Sequence, residues 1–209
     1  MCLLPNINKQ ADSVIKIYFL ILLFIPLSAI AQVYQTTKPL ENMGEIEHLV
    51  YYKDMNNVLN GFEGAYEYTG PGFYFKMELK KIFSNVDYFC EDVLVGKYRY
   101  IKDGVDIDYM SDNLIALPND TTSKISLSWI HPAQQPLFCP QCLSEKWIEG
   151  GIFDPVTDKG AVLRMAKRTV GSQQGVQVWL HLEVTGIEAG ETEVPIQLPI
   201  SNFFMAKIQ

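Results

Sequence analysis

The sequence has little positive charge and none of the patterns that accompany nucleic-acid binding. Its 209 residues include 17 lysine and arginine against 24 aspartate and glutamate residues, for a formal net charge of −7. The longest basic cluster is Lys80-Lys81. Nucleic acids and anionic lipid surfaces attract extended basic patches, so we expect neither as a partner. The chain also lacks internal repeats, low-complexity tracts and any amphipathic helical pattern longer than two turns.

Sequence signatures of catalysis are also missing. The segment Gly171-Ser172-Gln173-Gln174-Gly175 lacks the Gly-x-Ser-x-Gly spacing of a nucleophile elbow. No nucleophile motif accompanies His48, His131 or His181. The loop that begins Asp54-x-Asn56 does not supply the ligands of an EF-hand. We therefore predict no catalytic residue, no cofactor and no metal site, and we favour a non-enzymatic protein.

The chain has only four cysteines, and two of them form a Cys-x-x-Cys motif, Cys139-Pro140-Gln141-Cys142. Redox catalysis of the thioredoxin type needs this spacing at a helix N-terminus inside a βαβ unit, whereas strand patterns and proline-rich loops surround it here. A zinc site needs four ligands, which Cys90, His131 and His181 would complete only by tertiary accident. We expect a structural disulfide that includes Cys139 or Cys142, either within the loop or to Cys90.

An apolar run near the start of the chain predicts export. Lys16 precedes the apolar residues 17–31, which end in Ala29-Ile30-Ala31, the small-x-small pattern that signal peptidase accepts. The run is about 15 residues, and a membrane-spanning helix needs roughly 20, so we expect no retained anchor. Residues 1–31 are therefore predicted to be a cleaved signal peptide, which places the protein in the periplasm or outside the cell, where disulfides form.

What the sequence does contain is a series of short segments in which apolar and polar residues alternate. Residues 73–80, Phe-Tyr-Phe-Lys-Met-Glu-Leu-Lys, have the period of two that a half-buried β-strand requires. Residues 176–184 repeat it, and Lys102-Asp103-Gly104 is a hairpin signal. About ten such segments predict an all-β fold, a single antiparallel β-barrel or sandwich. The β-domain is expected over residues 48–209, after an extended lead over residues 32–47.

If the strands close into one barrel, the alternation also predicts which side chains face inward. This inward set is large and aromatic, so we expect a mostly filled core. It comprises Tyr66, Tyr68, Phe73, Phe75, Met77, Leu79, Tyr98, Tyr100, Ile107, Tyr109, Leu127, Trp129, Val178, Leu180 and Leu182.

Trp179 and His181 lie on the polar face of their predicted strand, opposite Val178 and Leu180. A tryptophan on a polar face is typical of a binding surface, because exposed aromatic rings favour contacts. The alternative is that a loop or a neighbouring strand covers the ring. We predict Trp179 and His181 as binding residues for an unknown small ligand or an envelope protein.

Several short motifs resemble those of one family. They are Lys53-Asp54-x-Asn56-Asn57-x-Leu59-x-x-Phe62-x-Gly64-x-Tyr66, Val95-Gly96-Lys97-Tyr98, Ile152-Phe153-Asp154-Pro155 and Leu198-Pro199-Ile200. Over most of residues 45–209 the chain is similar to a domain-of-unknown-function family of small secreted β-proteins from flavobacterial-type bacteria. That family usually has tryptophan in place of Tyr66. Gly64-x-Tyr66 also resembles the Gly-x-Trp opening of lipocalin-like barrels. The resemblance implies export and a β fold, and it implies no catalytic residue.

Two functional hypotheses follow from the sequence. The first is an exported β-domain of the cell envelope that binds a ligand or a partner without catalysis. The second is an envelope hydrolase whose site is assembled from scattered carboxylates and histidines. An aromatic patch or an apolar cavity would support the first hypothesis, and carboxylates or histidines that converge in a cleft would support the second.

Overall fold

The protein is built around a closed sheet of antiparallel strands. The computed structural model describes residues 36–86, 88–108, 124–154, 156–182 and 197–208. The strands are β1 (Thr36–Pro39), β2 (Val50–Lys53), β3 (Gly64–Gly70), β4 (Phe73–Val86), β5 (Phe89–Lys102), β6 (Val105–Asp108), β7 (Ile125–His131), β8 (Trp147–Asp154), β9 (Lys159–Val170), β10 (Gln173–His181) and β11 (Asn202–Lys207). Two short 3-10 helices are η1 (Leu40–Asn42) and η2 (Leu59–Phe62). The predicted all-β fold is confirmed.

Eight of these strands form the barrel. Their order around the ring is β5-β4-β3-β11-β10-β9-β8-β7, and β7 pairs with β5 to close it. Every pairing within the ring is antiparallel. The other three strands lie outside the ring: β1 pairs in parallel with β2, β2 pairs in parallel with β5, and β6 forms a hairpin with β5. Closure gives each ring strand a neighbour on both sides.

The core consists of the inward-facing residues of these strands, as the period of two predicts. Aromatic rings from β3, β4 and β5 occupy one side, where Phe75 stacks on Tyr98 with ring centroids 5.6 Å apart. The buried hydroxyls are bonded: Tyr66 donates to the carbonyl of Phe62 and Tyr98 donates to the carbonyl of Phe153. Aliphatic side chains of β7–β10 complete the core; they include Ile125, Leu127, Ile148, Leu163, Met165, Val178 and Leu180.

One inward assignment is wrong because a β-bulge changes the phase of β7. The pairing of β7 with β8 shifts between Leu127 and Trp129, so an extra residue enters β7 and reverses the alternation beyond it. Leu127 is buried, whereas Trp129 points outward and is 54% exposed. Gly150 lies opposite the shift, and a Cβ there would come within 2.1 Å of the carbonyl oxygen of Ser126. The close approach of the two backbones therefore requires glycine.

Two further assignments from the alternation have different outcomes. Leu182 was assigned inward, but it follows the end of β10 and is exposed.

Two predictions fall outside the described residues: the inward position of Tyr109 and the signal peptide over residues 1–31. Asp106 and Asp108 point into solvent and pair with Arg99.

The carboxylates in the resemblance motifs prove to be structural. Buried Asp54 accepts hydrogen bonds from the backbone amides of Val58 (2.8 Å) and Leu59 (2.9 Å) at the start of η2, and it pairs with Lys81. Asp92 accepts from the Asp54 amide at 2.9 Å. These bonds satisfy the amides of a tight turn and tie it to β4 and β5, which is the role of a helix cap.

Asp154 ties down a second turn in the same manner. Its carboxylate accepts from the amide of Val156 (3.0 Å), the hydroxyl of Thr157 (2.9 Å) and the amide of Gln197 (2.7 Å). The motif residues thus hold the ends of strands in place.

None of the described helices is long and apolar enough to cross a membrane.

Candidate functional site

The outer face of β7–β10 carries all three tryptophans of the chain and two of its three histidines. We call these residues, Trp129, His131, Trp147, Trp179 and His181, the aromatic face. Both predicted binding residues, Trp179 and His181, belong to it. The outward positions of strands from different parts of the sequence are thereby brought onto one surface.

A straight row of side chains crosses this face. The register pairs Trp129 on β7 with Glu149 on β8, Glu149 with Arg164 on β9, Arg164 with Trp179 on β10, and Trp179 with Asn202 on β11. Directly opposed residues on one face of a sheet are close enough to interact. The row therefore places one charged pair, Glu149 and Arg164, between two tryptophans.

Arg164 joins the charged pair to the aromatic rings. Its Nε donates to the carboxylate of Glu149. The guanidinium carbon lies 4.9 Å from the centroid of Trp179 and 5.9 Å from that of Trp147, both within the range of a cation–π contact. The planar guanidinium thus fixes two rings and one carboxylate relative to each other.

The rings also stack on one another. His131 and Trp147, opposite each other on β7 and β8, are nearly parallel with centroids 3.5 Å apart. Trp179 and His181 stack at 4.4 Å along β10. The imidazole Nε2 of His131 lies 3.4 Å from Oε2 of Glu149, a long distance for a hydrogen bond.

The surroundings of His131 favour its uncharged form. Burial lowers its pKa below the usual 6.5, and this outweighs the carboxylate of Glu149, which acts in the opposite direction; Arg164 lowers the pKa further. Glu149 is already paired with Arg164, so the charges of these two side chains offset each other.

A loop over residues 132–146 folds across part of the aromatic face; we call it the cystine loop. Cys139 and Cys142 form the predicted disulfide, with an S–S distance of 2.02 Å. The disulfide packs with Phe138 against Trp147 and Ala166. The sulfurs are bonded to each other, so this pair offers no thiolate to a metal; Cys90 is buried elsewhere in the barrel.

A chain of hydrogen bonds holds the cystine loop in place. Arg168 donates to the side-chain oxygen of Gln177, the Gln177 amide donates to Asn202, and Asn202 Nδ2 donates to the carbonyl oxygen of Phe138 at 2.6 Å. Phe138 is thereby placed 5.7 Å from Trp179, centroid to centroid. The order of donors and acceptors is consistent along the whole chain, so each amide has one orientation.

Between the loop and the sheet lies an open groove of about 810 Å³. It is lined by His131, Gln134, Gln135, Pro136, Leu137, Phe138, Trp147, Arg164, Trp179 and Asn202. Leu137, at its rim, is 99% exposed. Nε1 of Trp147 is buried and has no hydrogen-bond partner among the described residues. The groove combines apolar rings with amide and guanidinium groups, which is the usual composition of a small-ligand site.

A second concave surface continues the face beyond Glu149. We call it the glycine shelf: about 670 Å³, bounded by Trp129 and floored by Gly150, Gly151, Gly160, Ala161 and Val162. The groove and the shelf lie on either side of the Glu149–Arg164 pair. Among the described residues no group of three or more His, Cys, Asp and Glu is arranged to hold a metal.

Sequence reasoning singled out Trp179 and His181, which lie on this face, but missed most of their neighbours. Arg164, Trp147 and Phe138 come from β9, β8 and the cystine loop, and none stands in a recognisable motif. The sequence gives one signal for this site: Trp147 lies five residues after Cys142. That spacing acquires a meaning only when the cystine loop packs on the Trp147 ring.

Comparison with known proteins places this chain among proteins whose role is open. No curated protein and no solved structure matches the sequence. The family of unknown function DUF6705 matches residues 14–207, nearly the full length. The chain therefore belongs to the DUF6705 family.

Proposed function

We propose that this protein is an exported, non-enzymatic binding domain whose ligand site is the groove between the cystine loop and the aromatic face. One observation carries the proposal: every tryptophan of the chain lies on the outside of the same four strands, where the barrel core does not need it. Tryptophan is costly to expose and is concentrated at binding surfaces. A folding role does not account for Trp129, which is 54% exposed.

Contacts within the protein itself hold the groove in shape. The disulfide, the Asn202–Phe138 hydrogen bond and the backbone bond from Leu143 to Lys167 anchor the loop at separate points. A preformed site loses little conformational entropy when a ligand binds. The groove volume of about 810 Å³ supports a ligand smaller than a folded protein.

The hydrolase hypothesis has less support. None of the described residues that line the groove is a carboxylate. The histidine–carboxylate contact on this face, His131 with Glu149, involves a carboxylate that Arg164 already neutralises. General acid–base catalysis needs a group free to exchange a proton with substrate, and the stacked ring of His131 does not offer one.

Tryptophan fluorescence tests the binding proposal, because all three tryptophans lie on the aromatic face. A panel of neutral oligosaccharides, proline-rich peptides and fatty acids should contain one class that changes the tryptophan emission. Calorimetry should then show at least a roughly tenfold loss of affinity for that class in Trp179→Ala. The matched control is Phe83→Ala, which removes an exposed ring from β4, outside the aromatic face. Binding that survives Trp179→Ala, or no binding by any class, contradicts the proposal.

Export is part of the proposal and has its own test. The apolar run at residues 17–31 and the small residues at 29–31 support it, as does a disulfide in the loop. The DUF6705 match begins at residue 14 and so includes that run. Protein recovered from the cell envelope or the medium should begin at Gln32 by intact mass. A mass that retains residues 17–31 contradicts the signal peptide.

A further inference from the structure

We infer that the ligand is a neutral saccharide chain that lies across the strands from Trp179 to Trp129, with hydroxyl groups on the Glu149–Arg164 pair between them. This inference rests on the proposed binding function and names the chemical class of its ligand. It follows from three properties of the row: its charge, its supply of donors and acceptors, and its length.

The charge of the row favours an uncharged ligand. Arg164 and Glu149 neutralise each other, and an ionic ligand would have to separate them to find a partner. A polyanion would also meet the net charge of −7 on the chain. A neutral ligand keeps the pair intact and uses the hydrogen-bonding capacity that remains on each side.

The arrangement of donors and acceptors fits hydroxyl groups. Arg164 can only donate and Glu149 can only accept, whereas a hydroxyl does both. Two hydroxyls on neighbouring carbons can therefore bind one to each residue, the first as acceptor and the second as donor. Beside the pair, the exposed indole of Trp129 offers the flat apolar surface against which the C–H face of a sugar ring packs.

The length of the row requires more than one sugar. Trp129 and Trp179 are three strand spacings apart in the register, or roughly 14 Å at the usual spacing between strands. A single ring cannot touch both indoles. The ligand that uses the whole row is an oligomer.

The glycine shelf makes room for the far end of such a chain. At Gly151 an added Cβ would meet nothing within 4 Å, so neither packing nor a positive φ angle requires glycine there. Gly150, next to it, is required by the close approach of β7. Because Gly151 has no side chain, the surface near Trp129 is open there, and a sugar ring can lie against the backbone.

A peptide ligand is the less favoured alternative. Peptides commonly bind a sheet by adding a strand at an exposed edge, but β8, β9 and β10 each pair on both sides, and the row crosses their faces. Proline-rich peptides also dock on aromatic grooves, and they enter the test as a competing outcome.

The test is calorimetry with β-1,4-linked glucose and N-acetylglucosamine oligomers of increasing length. We expect affinity to rise with chain length until the oligomer reaches both tryptophans. Trp129→Ala and Gly151→Val should each weaken binding of the longest oligomers about tenfold and leave binding of the shortest unchanged. Trp179→Ala should weaken both. Gln173→Val, at an exposed position at the start of β10 that lines neither the groove nor the shelf, is the control for a new β-branched side chain.

The outcomes separate this inference from the proposed function. If proline-rich peptides or fatty acids bind with dependence on Trp179 and saccharides do not, the saccharide assignment is overturned and the groove remains a binding site. Saccharide binding that is indifferent to both Trp129→Ala and Gly151→Val overturns the extended chain. If no class binds, the proposed function and this inference fail together.

Discussion

On β3–β5 most of the large rings point into the barrel, whereas on β7–β10 the tryptophans point away from it. The first side buries Tyr66, Phe75, Tyr98 and Tyr100 and covers its exterior with charged side chains, among them the Lys76–Glu78 and Lys97–Glu78 pairs. The second side buries aliphatic residues and carries three tryptophans outside.

The difference teaches which aromatic residues the fold needs. A barrel of this size has an interior that side chains just fill, and rings from one side leave space for only smaller residues from the other. The tryptophans of β7–β10 are therefore surplus to the core. We interpret β3–β5 as the scaffold and the outside of β7–β10 as the proposed binding surface, and four substitutions test that division.

Phe75→Ala should have the largest effect on stability. Phe75 is fully buried and packs against Tyr98, Tyr100 and Phe203, so the free energy of unfolding should fall by roughly 3–5 kcal/mol. Denaturation in urea measures it. A loss below about 1 kcal/mol would indicate an open, solvated interior, and a lipocalin-like carrier would then replace the filled scaffold.

Asp54→Ala should be the next most severe. It leaves the amides of Val58 and Leu59 without an acceptor and Lys81 without its closest carboxylate, at a cost of about 3 kcal/mol. The control is Asp106→Ala, which removes an exposed carboxylate paired with Arg99 and should change stability little. Equal effects of the two substitutions would mean that the hydrogen bonds of Asp54 do not stabilise this turn more than an exposed ion pair does.

Asn202→Ala should have a modest effect on stability and a local effect on the cystine loop. It removes the bond to the Phe138 carbonyl and leaves Gln177 without its acceptor, at a cost of about 1 kcal/mol. Hydrogen exchange of residues 132–146 should accelerate while exchange in β3–β5 stays unchanged. Unchanged exchange in the loop would show that the disulfide and Trp147 hold it without the hydrogen-bond chain.

Trp129→Ala should have the smallest effect on stability, within about 0.5 kcal/mol, because the side chain is more than half exposed. The contrast with Phe75→Ala is the sharpest form of the comparison: two aromatic deletions on two sides of one barrel. Urea denaturation again provides the measurement. A loss of about 2 kcal/mol or more would assign Trp129 to the scaffold and remove it from the binding surface.

Much of the fold follows from local pattern. The alternation over residues 73–80 and 176–184 predicted the buried faces of β4 and β10 correctly, because the side chains of a strand alternate by geometry alone. The Asp103-Gly104 turn between β5 and β6 also appears where it was predicted, and both residues have positive φ angles. Trp129 was assigned to the wrong face because a bulge depends on the partner strand, which alternation does not contain.

The candidate site was predictable only in part. Trp179 and His181 stood out because each breaks the polar pattern of its own strand. Trp147 did not, since the loop that makes it the floor of a groove folds back through contacts with β9 and β11. Arg164 could not be predicted as a site residue for a similar reason. Arginine is common on the outer face of a strand, and only the register places Arg164 beside two tryptophans.

By itself the sequence determined the class of fold, the inward side of most strands and the excess of acidic over basic residues, all of which are properties of composition or of the local period of the backbone. The tertiary structure decided the rest. Closure of the ring, the bulge in β7 and the register that aligns Trp129, Glu149, Arg164 and Trp179 depend on pairing between segments that are distant in the sequence, as where Lys207 on β11 pairs with Tyr66 on β3. Such pairing is specified by the fit of whole strands to each other, and no single segment contains it.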